Sequence, residues 1–107
     1  MKEKLCVIYV TVPNKNLGLK IARELVSKKL SACVNIYGGV TSVYRYNGKI
    51  QEDNELVIFI KTRKSLFKKI EKEIKNFHTY ECPCIIELPV GGSYGPFKKW
   101  VENETKS

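Results

Sequence analysis

The chain has 107 residues, 43% hydrophobic and 28% charged, a balance that excludes a disordered polymer and fits one domain over residues 1–107. Its net charge is +8, but sixteen of its nineteen basic residues are lysines, and only Arg23, Arg45 and Arg63 carry the planar fork that reads phosphates and bases. The charge reads as a solvated lysine surface with no nucleic-acid partner, and no apolar run approaches the ~20 residues that cross a bilayer, so no membrane is expected either.

Met1-Lys2-Glu3-Lys4 leads straight into the apolar, β-branched run Leu5–Val12. The run is short and lacks a small-residue cleavage site, so it reads as a first strand and not as a secretory leader, and a cytoplasmic protein is expected. Pro13-Asn14 ends it, with Asn14 placed to cap a helix near 15–29. Leu17, Ile21, Ala22, Leu25 and Val26 recur there at helical spacing. Ala32–Ile36 is the next apolar run, Gly38-Gly39 interrupts it, and Val40–Tyr46 alternates as a strand. Asn47-Gly48 is the dipeptide of a two-residue type I′ hairpin turn, in which both residues need φ > 0. Lys49-Ile50 starts the return, Gln51–Asn54 is expected to mark a bulge or kink, and Glu55–Thr62 completes the arm.

Ser65–Phe77 is predicted to be helical, with Leu66, Phe67, Ile70, Ile74 and Phe77 as its apolar stripe and Lys68, Lys69, Lys72 and Lys75 on the wet side. A short segment from His78 to Pro83 leads into a last strand at Cys84–Val90, which Pro89 places at a sheet edge or near its own end. Phe97–Val101, with Trp100, predicts a short closing helix. The order is β-α-β-β-α-β with a small C-terminal helix. This is an α+β, ferredoxin-like sandwich of four antiparallel strands and two covering helices.

The two hairpin arms, Cys33–Tyr46 and Lys49–Thr62, would each span roughly 46 Å, longer than the ~34 Å diameter of a compact domain this size. The hairpin either bends within a monomer, or it projects and is covered by pairing into a closed ring of subunits.

No nucleophile elbow, phosphate loop or dinucleotide glycine pattern is present, so no catalytic residue, no organic cofactor and no enzymatic activity are expected. The single histidine, His78, stands before Cys82 and Cys84 as H-x3-C-x-C. Imidazole and thiolate suit copper or another divalent metal, which makes His78, Cys82 and Cys84 candidate ligands. The alternative is a loop histidine bonded to backbone and two small inert thiols. Cys6 and Cys33 lie in apolar runs as buried free thiols do, and without an export signal no structural disulfide is expected. Glu55 and Lys61 flank the run Leu56–Ile60 and share a face if the strand is unbulged. They mark either an anion-binding cleft or a paired strand end.

Ser31-Ala32-Cys33-Val34-Asn35-Ile36, Ser42 through Ile50, Glu55, Lys61-Thr62, His78 through Pro83 and Trp100 together resemble the CutA divalent-cation-tolerance proteins, with all blocks in order from about residue 5 to 104. The resemblance implies a ferredoxin-like fold, a homotrimer similar to the PII signalling proteins, and a link to metal ions, copper among them. A cysteine implicated in copper binding in bacterial members falls at Val10. One implicated histidine falls at His78 and its neighbour at Phe77, so Cys82 and Cys84 would have to substitute. The second function consistent with the resemblance is a PII-like sensor that holds a small molecule or anion in the inter-subunit cleft, through Arg45, Glu55, Lys61 and Tyr80.

Overall fold

A computed structural model describes residues 3–106; Met1-Lys2, part of the lead-in to the first strand, and Ser107 lie outside the described residues. The elements are β1 (Leu5–Val12), α1 (Lys15–Ser27), β2 (Cys33–Tyr46), β3 (Lys49–Arg63), a single 3-10 turn (Lys64–Leu66), α2 (Phe67–Phe77), β4 (Ile85–Pro89) and α3 (Gly95–Glu104). The strands form one sheet in the order β2-β3-β1-β4, every pair antiparallel. This is the strand order expected of the β-α-β-β-α-β sandwich. No helix among the described residues is long and apolar enough to cross a membrane.

Cross-strand partners share a face, so the register divides the sheet cleanly. Cys6, Ile8, Val10 and Val12 of β1 and Ile58 and Ile60 of β3 face the helices. They pack with Ile21 and Leu25 of α1 and Ile70 and Ile74 of α2 into one buried core. The opposite face carries Tyr9 and Phe59, whose rings meet edge-on at 5.8 Å, and it leaves Tyr37, Ile86 and Leu88 exposed. Beside this face α3 buries Val101, and Lys61 Nζ stands 5.8 Å over the ring of Phe97. Arg63 fastens the end of α3 by donating to the hydroxyl and the carbonyl of Thr105, at 2.8 and 3.1 Å.

Local signals explain the element ends. Asn14 Oδ1 accepts from the Leu17 amide at 2.8 Å and caps α1 as expected. At the other end the amides of Lys29 and Leu30 donate to the carbonyls of Val26 and Leu25, a Schellman closure with Lys29 in the left-handed region at φ 59°. Leu30 then drops into the core beside Leu25. In the hairpin turn Asn47 and Gly48 have φ of 51° and 75°, as a type I′ turn requires.

The irregularity in the hairpin is not where the polar run placed it. Gln51–Asn54 pair in unbroken register with Thr41–Tyr44. Both faces of the outer ribbon are wet there, so polar side chains cost a regular strand nothing. The bulge lies between Tyr37 and Val40, where Gly38 and Gly39 oppose Leu56, with Gly39 at φ +76°. The ribbon projects, and the molecule measures 47 × 26 × 23 Å. Several element ends also differ from expectation: α1 stops at Ser27, the 3-10 turn takes the first residues of the expected second helix, β4 runs only from Ile85 to Pro89, and α3 extends over Gly95–Glu104.

Candidate functional site

The open side of the sheet and the base of the ribbon enclose a cleft of about 630 Å³. Tyr9 and Thr11 of β1 and Glu55 of β3 form its floor, Ser42, Tyr44 and Tyr46 of β2 form one wall, and Tyr80, Glu81, Cys82 and Cys84 form the other. The second wall is the irregular segment between α2 and β4, and His78 holds it in place. The His78 amide donates to the carbonyl of Ile74, ending α2. Its ring Nε2 lies 2.8 Å from the carbonyl oxygen of Thr11. Its Nδ1 accepts from the amide of Tyr80 at 3.1 Å. An amide only donates and a carbonyl only accepts, so Nδ1 carries the lone pair and Nε2 the proton.

The cleft tyrosines are all tied to carboxylates. Tyr80 donates its hydroxyl to Glu55 at 2.8 Å, Tyr46 donates to Glu81 at 3.0 Å, and Tyr44 donates to Asp53. Burial, and then the bond to Glu55, push the Tyr80 phenol well above its usual range, so it stays a donor. The bond to Glu81 raises Tyr46, and the bond to Asp53 raises Tyr44. Burial, followed by the nearby Glu55 carboxylate, raises the Cys84 thiol. Glu55 is only 8% exposed.

The structure brings some candidates together and separates others. Glu55 and Tyr80 meet in the cleft, and Cys82 and Cys84 line it. Lys61 shares the sheet face of Glu55 six residues along the unbulged strand, but its ammonium goes to Phe97 and not into the cleft. Arg45 is exposed on the ribbon between the cleft residues Tyr44 and Tyr46, hence on the opposite face. His78 spends both ring nitrogens on the backbone and is not among the residues lining the cleft. Among the described residues no three or more His, Cys, Asp or Glu side chains stand together as a metal-ligand group. The two thiols suit a soft ion, but by themselves they fall short of the usual four-coordinate shell. All four cysteines are unpaired thiols, with Cys6 buried, Cys33 and Cys84 half-buried and Cys82 exposed.

Sequence reasoning missed Tyr9, Thr11, Ser42, Tyr44, Tyr46, Asp53 and Glu81. The ribbon members were within reach. Counting outward from the Asn47-Gly48 turn pairs Tyr44 with Gln51, Ser42 with Asp53 and Val40 with Glu55. That register alone sets the alternate residues Ser42, Tyr44 and Tyr46 on the face of Glu55.

A family profile described as CutA1 divalent ion tolerance protein matches residues 6–104. The chain is 43% identical over 101 residues to the chloroplastic protein CutA of Arabidopsis thaliana, covering 94% of this chain and 56% of that one. It therefore spans little more than half the length of that plant relative. It is 37% identical over 99 residues to the divalent-cation tolerance protein CutA of Thermus thermophilus, covering 92% of this chain and 96% of that one. The crystal structure of CutA1 from Oryza sativa superposes with a TM-score of 0.93 at 43% identity, over 96% of this chain and 94% of that one. With the sheet order, the helix placement and nearly every residue of the core inside the matched span, the chain belongs to the CutA1 divalent ion tolerance protein family.

Proposed function

We propose that this protein is a metal-tolerance protein of the cytoplasm that acts as a homotrimer, binds divalent or soft metal ions, copper foremost, and catalyses no reaction. The observation that carries the reading is the chemistry of the cleft. Its carboxylates and thiols are Glu55, Glu81, Cys82 and Cys84, and it has no lysine or arginine. In a chain of net charge +8, a cleft lined by two carboxylates and two thiols and by no cationic side chain is arranged for a cation. An anion held within this cleft of a single chain would need a cationic side chain there, and the lining has none.

The trimer rests on the open sheet face. Tyr37, Ile86, Leu88, Phe97 and Trp100 are exposed large hydrophobics, and β2 ends the sheet on a long unpaired edge. Pairing copies into a ring would cover both. It would also let donors from a neighbouring copy complete the shell that Cys82 and Cys84 begin. Four unpaired thiols suit a reducing compartment.

The test is calorimetric titration of the assembled protein with Cu(I), Cu(II) and Zn(II), alongside the Cys82→Ser/Cys84→Ser and His78→Ala variants. Cu(I) binding that is lost with the thiols and retained without His78 supports the reading. Equal Cu(I) affinity in wild type and the thiol variant sinks it.

A further inference from the structure

Glu55 is more than nine-tenths buried, and among the described residues only one of its carboxylate oxygens has a protein partner, the hydroxyl of Tyr80. Among the described residues no sealed side-chain oxygen lacks a hydrogen bond. The second oxygen is therefore open, and Glu55 opens on the cleft. An anionic oxygen placed at the floor of a mostly apolar cavity is costly unless a positive charge meets it.

The walls narrow the choice of that charge. Four tyrosines line the cavity, and the hydroxyls of Tyr44, Tyr46 and Tyr80 are already committed to Asp53, Glu81 and Glu55. Their protons are spent, so beyond an oxygen lone pair what these residues offer a guest is ring surface. Ring surface cannot replace the water shell of a hard metal ion, which asks for six or more oxygens. It does suit a cation whose charge is spread over carbon, because the negative ring face attracts it and the alkyl groups need no hydrogen bonds. A volume of about 630 Å³ is of small-molecule size.

We infer that the cleft binds a small alkylammonium ion, with its positive centre at the free oxygen of Glu55 and its alkyl groups against the rings of Tyr9, Tyr44, Tyr46 and Tyr80. The site shares the cleft with Cys82 and Cys84 but takes no bond from either thiol, so replacing the thiols separates it from the metal reading.

The experiment is calorimetric titration of the full-length protein with choline and with 3,3-dimethyl-1-butanol, the neutral compound in which carbon replaces the charged nitrogen. Choline is expected to bind at least about ten-fold more tightly than its neutral twin. Glu55→Gln should weaken choline by about ten-fold and leave the alcohol unchanged. Cys82→Ser/Cys84→Ser should leave choline binding intact. Equal affinity for choline and the alcohol, or no choline binding, overturns the inference. The comparison of the two compounds uses the unaltered protein, so it decides the matter even if Glu55→Gln does not fold. Loss of choline binding with retained Cu(I) binding would refute this site alone; the reverse would refute the metal site alone.

Discussion

The Nε2–H of His78 reaches the backbone carbonyl of Thr11 at 2.8 Å, joining the end of α2 to the far end of β1. The same ring orders the next turn of chain through the amide of Tyr80. The only histidine is thus a brace for the cleft wall.

Replacing it should therefore act on stability before ligand binding. His78→Ala removes two part-buried hydrogen bonds, to the Thr11 carbonyl and from the Tyr80 amide. It should cost about 1–3 kcal/mol, read as a lowered urea midpoint at unchanged slope. An unchanged midpoint would show that the wall is held without the brace.

Lys29 holds the left-handed position of the Schellman closure, which glycine occupies at little steric cost. Lys29→Gly should stabilise the fold by about 0.5–1 kcal/mol, measured by thermal or urea unfolding. Its backbone carbonyl, which accepts from the amide of Lys106, is kept by the substitution. A loss of stability would place the value of Lys29 in its side chain instead.

Burial, aided by Glu87, pushes the Cys6 thiol up to about 11. In the unfolded chain the same thiol ionises near its ordinary value of 9.0. Between these values the unfolded state gives up a proton that the folded state keeps, so stability falls as pH rises. The contribution is fully present below pH 9 and is lost through about pH 11, a span worth about 2 kcal/mol. Urea unfolding from pH 8 to 11, compared with Cys6→Ala, isolates it. The variant should be less stable at pH 8, from lost packing, and should decline less steeply. Parallel curves would show that Cys6 is not the titrating group.

On β4, Ile86 and Leu88 expose apolar surface on the open sheet face. If this face joins the copies of a trimer, Ile86→Lys/Leu88→Lys would bury two unpaired ammonium groups at each contact. Sedimentation should then shift from three chain masses to one, while the far-ultraviolet spectrum keeps the native mix of helix and sheet. A variant that still sediments as a trimer would move the interface elsewhere.

The fold was largely legible because its signals are local and agree. Asn14 caps a helix with a clean apolar stripe, Asn47-Gly48 fixes a turn, and the β-branched run Leu5–Val12 fills both sides of a central strand. Of the two interruptions the sequence marks in the hairpin, the glycine pair holds the bulge and the polar run Gln51–Asn54 does not, because only the glycine pair supplies a left-handed residue, at Gly39. The cleft was half legible. Glu55, Tyr80, Cys82 and Cys84 stand where an inward strand position and a short exposed segment put them. Lys61 emerges on the face of Glu55, as an even separation along an unbulged strand implies, but reaches Phe97, and Arg45 points away from the cleft of the single chain, where its place between Tyr44 and Tyr46 puts it. Tyr44 and Tyr46 required counting register across a turn, which no composition or motif reveals.

That counting gives the glycine pair a further meaning. Alternation along β2 is a two-state rhythm, and the extra residue at Gly38-Gly39 shifts its phase by one beat for everything beyond. Removing one of the two glycines would take out that extra beat, and Ser42, Tyr44 and Tyr46 would stay on the face of Glu55, because the turn still fixes their partners on the unbulged β3. The identity of the cleft wall is therefore stored at the Asn47-Gly48 turn, and the glycine pair stores only the bend of the ribbon. A length change of one at the turn would rewrite the chemistry of the cleft, whereas the same change at the glycines would re-aim the ribbon and leave that chemistry alone.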